Sequence, residues 1–199
     1  MNKTYLLEPC CIERQAPYAL SEAKGRAMMW TNGDVTVSHW FKALSYMAGP
    51  THRLTLVVKE PDVQLMRWIR TWMQRGWTTE VRLTASTDAR QLVTAELEGL
   101  TDKVTVAQDA TIRSEAMVLE GDEGTIVIAG PMMTAVQPGL TTYAVMRTKE
   151  GGCDLLQAIV ARNKAHALSM DDGRGHTERN NVTQKARKAQ KARIVLSRK

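Results

Sequence analysis

The sequence predicts an α/β fold with a mixed, largely parallel central sheet flanked by helices. Segments rich in β-branched residues alternate with segments whose apolar residues recur at helical spacing, which is typical of α/β domains. Strands are predicted at 53–59, 77–84 and 103–107, each separated from the next by one predicted helix. Right-handed crossovers through such helices would make these three strands parallel neighbours.

The N-terminal segment contains one predicted strand and one predicted helix. Tyr5–Glu8 is a candidate for a short first strand, and the residues after it, up to Pro17, are predicted to be irregular. Ala19–Trp30 is predicted to be helical because it is rich in helix-forming residues, although Gly25 lies within it. Residues 32–34, Asn-Gly-Asp, have the composition of a turn.

Two amphipathic helices and a strand are predicted next. Val37–Ala48 has apolar residues at three- and four-residue intervals and ends at a Gly-Pro pair. Arg53–Lys59 is rich in β-branched residues and predicts a strand. Asp62–Arg75 predicts a second helix, with Pro61 favoured at its opening and Gly76 as its stop.

Five further elements are predicted outside the central motif region. Trp77–Thr84 and Lys103–Ala107 are strands, and Asp88–Leu100 is the helix between them, with capping-box spacing at its start. Leu140–Arg147 is a last strand and Cys153–Leu168 a last helix. Together these elements predict one domain over 1–168.

A β-hairpin is predicted in the middle of the chain. The apolar runs Ala116–Leu119 and Thr125–Ala129 flank an acidic turn that has glycine at Gly121 and Gly124. Gly130–Met133 leads out of the second strand. Because both runs are continuously apolar, we expect the hairpin to be buried.

This hairpin resembles the motif region of the phospholipase D superfamily, in which a first strand carries H-x-K-x(4)-D and a second runs into a G-S-x-N turn. The best register places Ser114 at the histidine, Ala116 at the lysine and Gly121 at the aspartate. Met133 falls at the asparagine of the turn. The resemblance covers Leu54–Thr134 and includes the order of the elements.

The resemblance implies a phospholipase D-like half that has lost its reaction. That reaction proceeds through a phosphohistidine, and a hydroxymethyl and a methyl group cannot replace the imidazole and the ammonium. None of the histidines is followed two residues later by lysine; they are His39, His52, His166 and His176. We therefore expect no enzymatic activity and no cofactor. Single-copy members of the superfamily usually pair, so the resemblance also implies a homodimer.

Two groups of side chains with metal-binding chemistry are expected to have other roles. Glu120, Asp122 and Glu123 lie in and beside a tight hairpin turn, which offers poor convergence for three carboxylates, so they are predicted to solvate the turn. His39 and His52 are predicted to be partly exposed residues at the two ends of one helix, not an imidazole pair. No metal site is predicted.

The cysteines and the apolar runs bear on the compartment. Cys10, Cys11 and Cys153 are expected to be reduced and mostly buried thiols, since their spacing matches no zinc site. No apolar run approaches the roughly 20 residues that span a bilayer, and the N-terminus has no signal-peptide pattern. The sequence therefore predicts a cytoplasmic protein without membrane contact.

The positive charge is concentrated at the C-terminus. Residues 161–199 hold 11 Lys/Arg and 3 Asp/Glu, a net of +8, so the first 160 residues carry −2 of the total charge of +6. Residues 169–199 consist of a polar, glycine-bearing linker and a basic tail. Clustered Lys/Arg favours a polyanion, and the tail has no aromatic residue for base stacking. We expect sequence-independent nucleic-acid binding by Lys185, Arg187, Lys188, Lys191, Arg193, Arg198 and Lys199.

Two other functions fit the same sequence. The protein is alternatively an interaction or assembly subunit whose basic tail docks on an acidic protein partner. A third hypothesis is an enzyme with a rearranged site at the C-terminal ends of the parallel strands, around Thr84–Ser86, Gln108–Asp109 and Arg113–Glu115. Arg113 and Glu115 are the charged residues that flank the altered motif.

Overall fold

The computed structural model describes residues 3–32, 35–135 and 139–148, which form an eight-stranded sheet and four α-helices. The strands are β1 Lys3–Leu7, β2 Arg26–Asn32, β3 Thr51–Val58, β4 Thr78–Ala85, β5 Val104–Gln108, β6 Ala116–Gly121, β7 Gly124–Ala129 and β8 Leu140–Thr148. The helices are α1 Ile12–Glu22, α2 Val37–Ala48, α3 Val63–Gln74 and α4 Arg90–Glu96, with short 3₁₀ helices at Pro9–Cys11 and Thr101–Lys103. The predicted turn at 33–34 and the predicted helix Cys153–Leu168 lie outside the described residues.

The sheet is mixed, but the prediction that it is largely parallel is wrong. Its strand order is β1-β2-β8-β7-β6-β3-β4-β5. The pairs β1/β2, β3/β4 and β4/β5 are parallel, whereas β2/β8, β8/β7, β7/β6 and β6/β3 are antiparallel. The parallel trio β3-β4-β5 is therefore confirmed. The hairpin β6-β7 is antiparallel within itself, and because it lies between β3 and β8 it also adds an antiparallel pair on each side.

The N-terminal prediction is wrong in two places. The segment expected to be irregular forms most of α1, which continues through Pro17, and the predicted helix Ala19–Trp30 is instead the end of α1 followed by β2. Burial of Ile12 and Leu20 against the sheet outweighs the proline in the helix interior. Gly25, at φ +85°, turns the chain into β2.

The predicted helices α2 and α3 are confirmed, with a small change at the start of α3. Asp62 is the N-cap, because its Oδ1 accepts a hydrogen bond from Leu65 N at 2.8 Å, and Pro61 precedes the cap. Helix α4 is shorter than the predicted Asp88–Leu100. It begins at Arg90, whose backbone N–H donates to Asp88 Oδ1 at 3.0 Å, and it ends at Glu96.

All four helices pack on one face of the sheet, which we call the helix face. Alternating strand residues such as Leu54, Leu119 and Ile128 form one continuous core with α1 to α4. The residues between them, such as Val57, Val118 and Val127, point to the opposite side, which we call the second face. Every helix in the described part of the chain is too short or too polar to span a bilayer.

Candidate functional site

The predicted hairpin is confirmed, and it brings three of the four motif positions to one edge of the sheet. β6 runs antiparallel to β3 and β7, so Ala116 pairs with both Val57 and Ala129. The start of β6, the end of β7 and the C-terminal ends of β3, β4 and β5 therefore lie together, and we call this the motif edge. Ser114, Ala116 and Met133 lie at the motif edge, and Gly121 lies at the opposite edge.

Two of these three positions carry side chains that cannot take part in attack on a phosphate. Ser114 is exposed, while Ala116 is fully buried against Val57 and Ile112. Met133 is half-buried, and its carbonyl oxygen accepts a hydrogen bond from Val37 N of α2 at 2.8 Å. A methyl and a thioether have no proton to transfer and no charge with which to hold a phosphate.

Gly121 has a structural role that rules out an aspartate at this position. A Cβ built on it would lie 2.4 Å from the carbonyl oxygen of Ala48 and 2.7 Å from that of Pro50. Both atoms belong to the backbone between the last residue of α2 and the start of β3, which cannot move aside as a flexible side chain would. The hairpin therefore packs against that connection only when residue 121 is glycine.

Glu115 joins the strands at the motif edge. Its Oε1 accepts a hydrogen bond from Lys59 N at 2.8 Å, and its Oε2 accepts one from Met132 N at 3.1 Å. Its carbonyl oxygen accepts from Gly130 N at 3.0 Å. Because both carboxylate oxygens are bound by backbone N–H groups, the side chain connects β3 to the segment after β7.

The loops of the proposed rearranged site are also hydrogen-bonded to one another. Ser86 Oγ donates to the carbonyl oxygen of Lys59, and Gln108 Nε2 donates to that of Ser86 at 3.5 Å. Asp109 N donates to Ala85 O at 2.8 Å, and Asp109 Oδ1 accepts from Thr111 N at 2.9 Å. These contacts order the C-terminal ends of β3, β4 and β5.

The two described histidines lie at different ends of the fold. His52 Nε2 is 2.5 Å from Asp122 Oδ1 at the hairpin turn, with both side chains mostly exposed. His39 Nδ1 accepts a hydrogen bond from Thr36 N at 3.1 Å at the start of α2. Burial lowers the pKa of His39, helped by the positive charge of Lys42. As predicted, the two histidines are partly or well exposed and do not form a pair.

The acidic residues at the hairpin turn do not converge. Asp122 contacts His52, whereas a Glu120 oxygen is 3.5 Å from Arg53 Nη1 and a Glu123 oxygen is 3.9 Å from Arg147 Nη2. Each carboxylate thus has a different side-chain partner. The three contacts link the hairpin turn to the start of β3 and the end of β8, and the carboxylates do not meet at one point.

Glu8, Cys10 and Cys11 form the one group of possible metal ligands within the described part of the chain, with ligand atoms within 4.8 Å of one another. The two Sγ atoms are 3.5 Å apart, close to the roughly 3.8 Å expected for two thiolates on tetrahedral zinc. A structural zinc site needs four ligands, so these three residues alone do not complete one.

The prediction of mostly buried thiols is wrong for Cys10, which is exposed, while Cys11 is half-buried and Cys153 lies outside the described residues.

A surface depression of about 590 Å³ between α1, α2 and the end of α3 was missed by the sequence analysis. Lys42, Tyr46, Arg75 and Trp77 contribute to its lining, and the Arg75 guanidinium lies 5.0 Å from the centre of the Trp77 ring. Arginine with exposed tyrosine and tryptophan is the composition enriched at protein interfaces. The residues come from separate elements, so only the Arg-Gly-Trp sequence directly after α3 gave a local signal for the stacking of Arg75 on Trp77.

The seven basic residues predicted to bind nucleic acid lie outside the described residues. They are Lys185, Arg187, Lys188, Lys191, Arg193, Arg198 and Lys199.

No protein-family model matches the sequence, and no curated protein matches it significantly. The phospholipase D resemblance therefore depends on the residue pattern and the order of elements.

Proposed function

We propose that the protein is a catalytically inactive phospholipase D-like protein of the cytoplasm that binds nucleic-acid backbones without sequence preference. The observation that carries the proposal is the separation of charge along the chain. Residues 161–199 have a net charge of +8, and the remainder has a net charge of −2. A polyanion is therefore attracted to the C-terminal region and not to the body.

The geometry of the motif edge supports the absence of catalysis. Ala116 and Met133 replace the groups that would hold a phosphate, and Glu115 is bound to two backbone N–H groups. The described imidazoles contact Thr36 and Asp122. A phosphohistidine mechanism needs an imidazole and a cation aimed at one phosphate, so this arrangement favours a scaffold.

The composition of the tail supports a non-specific mode of binding. The last 16 residues contain 7 Lys/Arg and no acidic residue. Each phosphate neutralised on double-stranded DNA contributes about −0.9 to the slope of log K against log salt concentration. Contacts from all seven side chains would give a slope of about −6. Without aromatic residues the tail cannot stack on bases, so we expect similar affinity for different sequences.

Charge-neutralised variants of the full chain test this proposal. The triple variant Lys188→Gln, Lys191→Gln, Arg193→Gln removes three charges from the tail. Its matched control, Arg14→Gln, Arg67→Gln, Lys103→Gln, removes three exposed charges from the body. Fluorescence anisotropy with labelled DNA and RNA is measured at several salt concentrations. We expect the tail variant to reduce the salt slope by about 3 and the control to leave it unchanged. Equal effects of the two variants would contradict the proposal.

A second candidate function is docking of the basic tail on an acidic protein partner. The exposed Tyr46 and the stacked Arg75 and Trp77 favour a protein partner, because tyrosine, arginine and tryptophan are enriched at protein interfaces. A pull-down with and without nuclease separates the two functions. A partner retained after nuclease treatment supports protein docking, and a partner lost on treatment supports nucleic-acid binding. Under the proposed phospholipase D-like fold we also expect a homodimer, which sedimentation of the full chain tests.

A further inference from the structure

The middle of the second face is buried, although the four helices pack on the other side. Val118 is 2% exposed and Val127 is 0% exposed, and Thr55 and Thr125 beside them are 7% and 5% exposed. The loop before β6 reaches only one end of this face, where Ile112 contacts Val57 and Ala116. Among the described residues, Val118 and Val127 belong neither to the core beneath the helices nor to the small group formed by Ile112, Val57 and Ala116.

The buried area on the second face has the width of one helix. It extends over β3, β6 and β7, whose spacing of about 4.8 Å gives a strip about 10 Å wide. Beyond this strip the second face is open, because Trp30 on β2 is 40% exposed and Leu6 on β1 is 68% exposed. An α-helix with its side chains is about 10 Å across, so a single helix would cover the strip and leave β1 and β2 uncovered.

We propose that residues 153–168 of the same chain form an amphipathic helix that covers this strip. Leu155, Leu156, Ile159 and Val160 are spaced so that they lie on one side of a helix. Their aliphatic side chains match the valines and threonines of the strip. The polar residues Gln157 and Lys164 fall on the other side.

The position of the chain after β8 supports this occupant over a separate partner. β8 ends at Thr148, which pairs with Thr125 at the start of β7. The chain therefore leaves the sheet at the end of the strip that carries the hairpin turn. Four residues, Lys-Glu-Gly-Gly, separate Thr148 from Cys153, and the two glycines permit a reversal onto the second face.

The length of the segment also fits, and it fixes where the tail would start. Sixteen helical residues extend about 24 Å, and six strand residues extend about 20 Å. A helix that begins at the hairpin turn and follows β7 thus ends near the motif edge. Residues 169–199 would then leave the body at that edge. The covering of the face does not depend on the proposed nucleic-acid function.

Cysteine cross-linking in the full chain tests the position of the segment. In a background with Cys10, Cys11 and Cys153 replaced by serine, Val127→Cys is combined with Ile159→Cys. The matched control combines Val127→Cys with Gln157→Cys, on the other side of the helix. Mass spectrometry after copper–phenanthroline oxidation measures the disulfide-linked products. We expect an intramolecular 127–159 link at least 10-fold more abundant than the 127–157 link. Equal yields, or links between two chains, would overturn the proposal.

Thermal unfolding provides a second measurement that does not need a cross-link. Leu156→Asp places a charge on the predicted buried side, and Gln157→Asp places the same charge on the exposed side. We expect Leu156→Asp to lower the midpoint by about 5 °C or more, and Gln157→Asp to change it by less than about 2 °C. Similar midpoints for the two variants would show that the segment does not cover the face.

Discussion

The Glu115 carboxylate accepts a hydrogen bond from the backbone N–H of Lys59 at 2.8 Å, which links the start of β6 to the residue that follows β3. Its second oxygen binds Met132 N, so one side chain connects three segments of the motif edge. A carboxylate that accepts hydrogen bonds from two backbone N–H groups contributes to the stability of the folded chain. Glu115 is therefore expected to act on stability and not on catalysis.

Glu115→Ala is expected to lower the free energy of unfolding by about 2 kcal/mol, because it leaves two backbone N–H groups without their acceptors. Urea denaturation measures the change. Glu98→Ala, at an exposed position, is the matched control and is expected to change stability by less than about 0.5 kcal/mol. Equal stability of the two variants would contradict the role assigned to Glu115.

Gly121→Ala is expected to lower the free energy of unfolding by about 3 kcal/mol, because its methyl group would overlap the carbonyl oxygens of Ala48 and Pro50. Gly99→Ala is the comparison. Gly99 has a φ of +78° but no atom within 4 Å of a built Cβ, so that variant should cost only about 1 kcal/mol. Chemical denaturation of both variants measures the two losses in the free energy of unfolding. A smaller loss for Gly121→Ala than for Gly99→Ala would rule out the close approach described above.

Tyr143→Phe is expected to leave stability unchanged or to raise it by up to about 1 kcal/mol. The Tyr143 hydroxyl is buried beside the Trp40 indole without a well-formed hydrogen bond among the described residues, so its removal also removes a desolvation cost. Tyr46→Phe, at an exposed position, is the control. A loss of more than about 1 kcal/mol in Tyr143→Phe alone would indicate a partner for the hydroxyl.

The same tyrosine gives a prediction for alkaline pH. Burial raises the pKa of Tyr143 to about 12 from its ordinary value near 10, and the charge of Glu115 adds to the shift, while the Trp40 indole opposes it. The unfolded chain therefore loses this proton at lower pH than the folded chain. Stability should fall as pH rises from about 10 to about 12, and this component should be absent in Tyr143→Phe. Identical stability–pH curves for the wild type and Tyr143→Phe would contradict the raised pKa.

Cys10→Ala is expected to make Cys11 react with iodoacetamide at lower pH. The hydrogen bond with the Cys10 thiol, followed by the Cys10 charge, raises the pKa of Cys11, so removal of Cys10 should return that pKa towards its ordinary value. Mass spectrometry of the labelled peptide gives the pH profile, with Cys153→Ser as the control. An unchanged profile in Cys10→Ala would contradict the coupling of the two thiols.

The sequence predicted those elements whose local signals agree with their packing. α2 and α3 have amphipathic spacing and clear termini, and the hairpin β6-β7 has apolar runs around a glycine-bearing turn. α1 was missed because Pro17 argues against a helix, whereas burial of the helix against the sheet decides the outcome. The prediction of strand orientation in the sheet failed for another reason. The hairpin pairs with β3 on one side and β8 on the other, and this long-range pairing has no local signal in the sequence.

The candidate site was predictable only in part. The hairpin itself was predictable from its apolar runs and its turn, and its strand pairing places Ser114 and Ala116 at the same edge as Met133. The hydrogen bonds of Glu115 to Lys59 and Met132 join segments that are far apart in sequence. The contact of Gly121 with Ala48 is likewise visible only in the folded chain.

The most direct measurement for the central claim is the salt dependence of nucleic-acid binding by the full chain and by a chain truncated after Ser169. Both are titrated with the same labelled duplex at several salt concentrations. The account predicts tight, steeply salt-dependent binding by the full chain and a loss of at least about 10-fold in affinity for the truncated chain at moderate salt. Equal affinities for the two chains would contradict it, because the body would then supply the binding.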